Sequence, residues 1–254
     1  GSDLQLLLAA LRGDERGEGS SGYVVHHTVL DAKFFGVCQQ RKRLYFVGFR
    51  MPDHSEAAAR FAWPLSEARH PTLSEFLEPE DMVSADCWLP EEKWRKILER
   101  TGGEAAWPSG RGGRIARLDG YARTIGSSYR TSDRFSEFVP RSSTATSEVQ
   151  ATFDGPWEAF SKAKRRGQER QKDAGNASLS VDPVSADTAA PLMPPPRFLT
   201  RRECARLQGF PESFKLDAPG YSSKDQHRFY HHVGNAVCPA VVQAIGKALL
   251  LALR

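Results

Sequence analysis

Apolar positions along the chain change their period several times, and each change marks an element. LQLLLAALR (Leu4–Arg12) has helical apolar spacing and stops before a Gly-rich turn. YVVHHTVL from Tyr23 is a β-branched run and RLYFVGF from Arg43 a second strand-like run; together they predict the last strands of an α/β sheet, entered by that helix. TLSEFL begins with Thr72 as an N-cap and places Glu75 three residues on, at capping-box spacing. PEEKWRKILER predicts a helix with Pro90 at its first position, acids early and bases late. RFLTRRECARLQGFP predicts a short helix capped by Thr200 and Glu203 and closed by Gly209. The final helix starts near Pro239, with Val241, Val242, Ile245, Ala248, Leu249 and Ala252 on its apolar face and GNAV in the turn before it.

Between these periodic stretches the pattern loosens. WPSGRGGRIARLDGYARTIGSSYR is short-stranded and rich in Gly and Arg, and residues 142–196 hold Ser, Ala, Pro, Lys and Asp with few core residues, which predicts a long disordered insertion.

Composition adds limits. The 254 residues suit one large domain or two small ones, and 40% apolar residues allow a sizeable core. The net charge of +4 says little about partners, whereas its distribution says more. Arg111, Arg114, Arg117, Arg123 and Arg130 crowd the Gly-rich stretch, and Lys162 to Lys172 holds six basic residues against one Glu. The latter run reads as a nuclear address, a DNA tail or a linker, with linker preferred. Cys38, Cys87, Cys204 and Cys238 lie far apart with no CxxC pair, which argues against a zinc site and a secreted disulfide framework and for a reducing compartment. Apolar runs near Leu6–Leu11 and Ala248–Leu253 are too short to span a membrane. The chain starts at Gly1 without a signal pattern and reads as part of a longer product.

Three separated blocks resemble the DNA (cytosine-5) methyltransferase family. DAKFFGVCQQRKRLYFVGFR at 31–50 is similar to the family block Asn-Ala-x-x-Tyr-Gly-Val-Pro-Gln-x-Arg-x-Arg. RFLTRRECARLQGFPESF at 197–214 resembles the next block, and FYHHVGNAVCPAVVQAI at 229–245 the last, Tyr-Lys-Gln-x-Gly-Asn-x-Val. RECARLQGFP is highly specific; GNAV alone is weak. In this register Cys38 stands where the family has Pro, so it is a packed small residue and not the nucleophile, which the family carries in an upstream Pro-Cys-Gln block.

The resemblance implies an α/β fold, the C-terminal part of a Rossmann-like class I S-adenosylmethionine-dependent methyltransferase domain with a small, loop-rich target-recognition region. The expected division is residues 1–80 for the end of the catalytic domain, 81–141 for target recognition, 142–196 for the insertion and 197–254 for the return to the catalytic domain. Arg43 becomes the candidate contact to O2 of a cytosine flipped from double-stranded DNA, with Arg41 and Gln39 organising the pocket. Gly234, Asn235, Ala236 and Val237 become the cofactor candidates, Gly for close approach and Asn for the methionine moiety of S-adenosylmethionine. Arg111, Arg114, Arg117, Arg123, Thr124 and Arg130 become the DNA candidates. Glu203, Arg202 and Arg206 are expected to form an internal ion-pair lattice. No metal ligands are expected; His231 and His232 lack a third ligand nearby. The family's Gly-rich cofactor turn and Glu-Asn-Val block are not in this sequence, so the chain alone is expected to be inactive, completed by an upstream half. Its location is expected to be the nucleus in a eukaryote and the cytoplasm otherwise. A DNA-binding remnant without catalysis and one subunit of a split enzyme are the competing readings. An RNA substrate stays open, though the long recognition region leans towards DNA.

Overall fold

Branched and aromatic residues alternating across a pleat build the sheet. β1 (Tyr23–Asp31) and β2 (Lys42–Arg50) pair antiparallel along their whole length, from Tyr23 opposite Arg50 to Asp31 opposite Lys42. The structure, a computed structural model, describes residues 2–12, 22–66, 70–101, 114–131, 136–141, 194–216 and 226–254. Arg111 and residues 142–193 therefore lie outside the described residues, as does the Lys162–Lys172 run. Among the described residues the sheet has these two strands. Its inner face contributes Leu30, Tyr45, Val47 and Phe49 to a core shared with Phe35, Val37, Phe61, Val241 and Ile245. On its outer face Val29, Leu44 and Phe46 are exposed.

The helices follow their capping signals. α1 (Ser2–Arg12) buries Leu8. A short turn of 3-10 helix at Ala32–Phe34 and another at Leu73–Phe76 flank β2 and α2 (Ser55–Arg60). At the second, the Glu75 carboxylate accepts the Thr72 amide at 2.8 Å, as the spacing predicts, although the helix is 3-10 and a single turn. α3 (Glu91–Arg100) starts one residue later than expected, with Pro90 as its N-cap. α4 (Arg201–Gln208) has the reciprocal Thr200–Glu203 capping box and ends at Gly209, whose φ of 88° is the left-handed conformation that glycine takes without a Cβ clash.

Two expectations are corrected at the C-terminal end. QHRFYHHVGN forms a helix of its own, α5 (Gln226–Asn235), so Gly234 and Asn235 lie in its last turn and not in a loop. In α6 (Pro239–Ala252), Val241, Ile245 and Ala252 are buried and Ala248 and Leu249 pack against the core, but Val242 is 46% exposed. The stretch 228–252 is long and apolar enough to cross a membrane by composition, yet its helical pattern is interrupted at 236–238 and Val241 and Ile245 sit in the core.

The described residues form two compact units. Unit 1 holds 1–78, 117–136 and 200–254; unit 2 holds 79–116 and 137–199. Residues 117–136, inside the 81–141 range assigned above to target recognition, thus fold with unit 1. Unit 2 is centred on Trp94, Ile97, Phe138 and Phe198, with Phe138 edge-on to both Trp94 and Phe198. Val139 and Arg197 exchange both backbone hydrogen bonds, at 2.7 and 2.9 Å, so the chain leaves for 142–193 and returns at one bridge.

Candidate functional site

Arg41 is 2% exposed, and a buried guanidinium must find acceptors. It donates to three backbone carbonyls of unit 1: Ile125 at 3.1 Å, Gly234 at 2.7 Å and Ala236 at 2.6 Å. Gln39 lies beside it, wholly buried. Its amide donates to the Leu207 carbonyl at 3.0 Å and to Gln208 Oε1 at 3.2 Å, and its own Oε1 accepts the Ile125 amide at 3.2 Å. Gln208 in turn donates to the Ala236 carbonyl at 2.7 Å. Four segments (39–41, 124–126, 207–208 and 234–236) therefore meet at one polar node. Asp31 anchors the block from below by accepting the Arg41 amide at 2.9 Å. Burial, then repulsion from Arg43, pushes the Arg41 pKa down to about 10, against weaker opposing fields from Tyr45 and Cys238.

Arg43, two residues further along β2, is only half-buried, and its guanidinium donates to the Lys42 carbonyl at 2.8 Å. Of these three, Gln39 spends its donors on the Leu207 carbonyl and the Gln208 side chain, and Arg41 spends both terminal nitrogens on backbone carbonyls and Gln39. Arg43 keeps donors that a ligand can take.

Gly234 is buried, and a Cβ there would lie 2.4 Å from the backbone of Gly126 and Ser127. Its close approach is to that backbone; the expectation that it clears room for a ligand is replaced by this packing. Asn235 is exposed, its carboxamide 3.4 Å from His231 Nε2, and Val237 is 54% exposed. An exposed amide and an exposed apolar side chain thus flank a backbone carbonyl, that of Ala236, which Arg41 and Gln208 hold from the buried side.

The basic candidates separate. Arg117 and Arg123 are exposed in unit 1, Arg117 paired with Asp119 at 3.0 Å; Arg114 belongs to unit 2. Arg130 donates to the Tyr230 hydroxyl at 3.1 Å. Thr124 is exposed, and its hydroxyl donates to the Gln40 carbonyl at 2.6 Å, which ties the 124–126 segment to the 39–41 block. In α4 the expected lattice takes a different form. Glu203 accepts the amides of Thr200 and Glu78, each at 2.8 Å, while Arg206 pairs with Glu212 at 2.6 Å. Cys38 is buried, with its thiol 3.2 Å from the Gly120 carbonyl. Sequence reasoning missed Gln208. Its position inside the RECARLQGF block was the one available signal.

Comparison with known proteins bears directly on these blocks. The profile described as C-5 cytosine-specific DNA methylase matches residues 18–251. Type II methyltransferase M.NlaX of Neisseria lactamica is 27% identical over 256 residues, spanning 100% of this chain and 58% of that protein. DNA (cytosine-5)-methyltransferase 3 of Arabidopsis thaliana is 47% identical over 57 residues, 22% of this chain and 4% of its own length. Among solved structures, the Entamoeba histolytica methyltransferase EhMeth superposes with a TM-score of 0.57 at 13% identity, covering 100% of this chain and 58% of that one. The S. pombe Dnmt2 methyltransferase gives 0.52 at 19% identity over 92% and 59%. The chain spans little more than half the length of M.NlaX and of these structures. The fold is the Rossmann-like class I methyltransferase fold, and family members use S-adenosylmethionine. With a matching profile over most of its length and the family's blocks gathered at one node, this chain belongs to the C-5 cytosine-specific DNA methylases.

Proposed function

We propose that this chain supplies part of a DNA (cytosine-5-)-methyltransferase, which transfers a methyl group from S-adenosylmethionine to C5 of cytosine in double-stranded DNA. The observation that carries the reading is the node itself: Gln39 and Arg41 draw the 234–236 turn, the 124–126 segment and α4 together while leaving Arg43 half-exposed beside them. A cation there would accept negative charge that builds on O2 when a thiolate adds to C6 of the flipped base. Asn235 would hold the cofactor's amino-acid end, and the cofactor, when bound, supplies the methyl group. Arg117 and Arg123 would meet DNA phosphates.

The nucleophilic thiol belongs to an upstream half. The exposed apolar side chains on the outer face of the β1–β2 hairpin favour such a covering partner over a free-standing remnant. The test is methyl transfer from tritiated cofactor to DNA, with this chain alone and with the upstream segment supplied in trans or in cis. The chain alone should be silent and the completed protein active. In the completed protein Arg43→Ala should cost at least about 100-fold in kcat, and Cys38→Ala should keep most turnover. Transfer by the chain alone, or loss of the covalent complex with 5-fluorocytosine DNA in Cys38→Ala, would sink the reading.

A further inference from the structure

We infer that Gln208 is a positioning residue for the Asn235–Val237 turn, and that through this turn it sets the affinity for the amino-acid end of the cofactor. This rests on the methyltransferase reading above.

The helical run is interrupted between α5 and α6, and carbonyls at such an interruption lose their intrahelical donors. The Ala236 carbonyl is served instead by two side chains, Gln208 Nε2 at 2.7 Å and Arg41 Nη2 at 2.6 Å. A carbonyl oxygen has two lone pairs, so both are taken. Gln208 is 0% exposed, and its own Oε1 accepts from Gln39 Nε2 at 3.2 Å. That second bond fixes which way the amide points. Turned over, Gln208 would set its oxygen against the Ala236 oxygen and its NH2 against the Gln39 NH2, opposing like groups at both ends.

Asn235, next to this carbonyl, faces outward with its carboxamide 3.4 Å from His231. The backbone is thus locked from the buried side while the side chain stays available on the other. A turn held in its binding shape loses less conformational freedom when a ligand arrives, so its affinity is higher than that of a loose turn. Arg43 is not bonded to Gln208. Loosening the turn therefore acts first on cofactor binding.

The experiment uses the completed protein carrying Gln208→Met, which keeps the length and removes both polar ends. Three readings are taken: amide hydrogen exchange in the 235–238 peptide, affinity for S-adenosylhomocysteine by calorimetry, and steady-state kinetics. Exchange at 235–238 should speed up about tenfold, and the cofactor KM and the dissociation constant should rise about tenfold. The DNA KM should stay within about twofold, so that the cofactor KM rises alone. Unchanged local exchange, or a uniform loss of stability with unchanged affinity per folded molecule, overturns the inference and leaves Gln208 as ordinary core. If the parent protein binds no S-adenosylhomocysteine yet Gln208→Met still loosens 235–238, the positioning stands and the cofactor reading falls. Should Gln208→Met fail to fold, Gln208→Asn, whose amide is one methylene short of Ala236, is the milder variant. The same local changes in it support the inference and their absence overturns it.

Discussion

At the scale of single residues, the site is governed by which donors are already spent. Arg41 and Arg43 are two positions apart and chemically identical, but one donates to three carbonyls in the interior while the other is only half-buried and donates to the Lys42 carbonyl. Sequence alone assigns both to a charge run. Burial separates a rivet from a free cation. Glycine shows the same division. Gly234 sits against the backbone of Gly126, whereas Gly246 in α6 has nothing within 4 Å of where a Cβ would be. Gly234→Ala should therefore destabilise the protein by at least about 2 kcal/mol, because backbone has to move. Gly246→Ala should be neutral or stabilising by up to about 1 kcal/mol, through helix propensity. Urea unfolding of the two variants decides it; equal effects would mean that the approach at Gly234 is not tight.

At the scale of elements, α6 is the most informative. Its apolar positions outnumber those the core covers: Val241, Ile245 and Ala252 are buried while Val242, Leu250 and Leu251 are exposed. Val241→Ala should cost about 2 kcal/mol, for two lost methyl groups from a fully buried site. Val242→Ala should stay within about 0.5 kcal/mol. Urea midpoints for the pair would show it, and a Val242 effect as large as that of Val241 would reverse the assigned face. The hairpin, α4 and α6 are legible in the sequence because period, cap and breaker agree at each: Thr200 with Glu203 and Gly209 at α4, Pro239 at α6. α5 is not legible, since the three histidines of QHRFYHHVGN blur its period. It is held by the buried faces of Phe229, Tyr230 and Val233. The exposure of Val242 is likewise a tertiary fact, since its neighbour Val241 is the one that meets the core.

At the scale of the whole molecule, stability and the node share one neighbourhood. The Cys238 thiol and the Tyr45 hydroxyl are both raised above their ordinary values of 9.0 and 10.0, by burial first in each case. The folded chain keeps protons that the unfolded chain releases. The stability they contribute is complete below pH 9 and is lost as pH rises through the folded values. Urea midpoints measured between about pH 7 and 10.5 should fall on the alkaline side, and Cys238→Ala should lessen the slope. A midpoint that stays flat would mean that neither group is desolvated. The node was only half legible in the sequence. The blocks name Gln39, Arg41 and Gly234, but that Gln39 meets a side chain 169 positions away, and that Gln208 meets a carbonyl 28 positions on, is set by how unit 1 closes.

The Val139–Arg197 bridge has a consequence for the length of chain it closes. Its two backbone bonds hold the departing and returning strands of unit 2 together, so the ring of chain between them is closed by the unit's own pairing. For a chain joining fixed ends, doubling the length costs only about 0.6 kcal/mol in closure entropy. The pairing of Val139 with Arg197 is therefore nearly indifferent to how many residues separate the two in sequence.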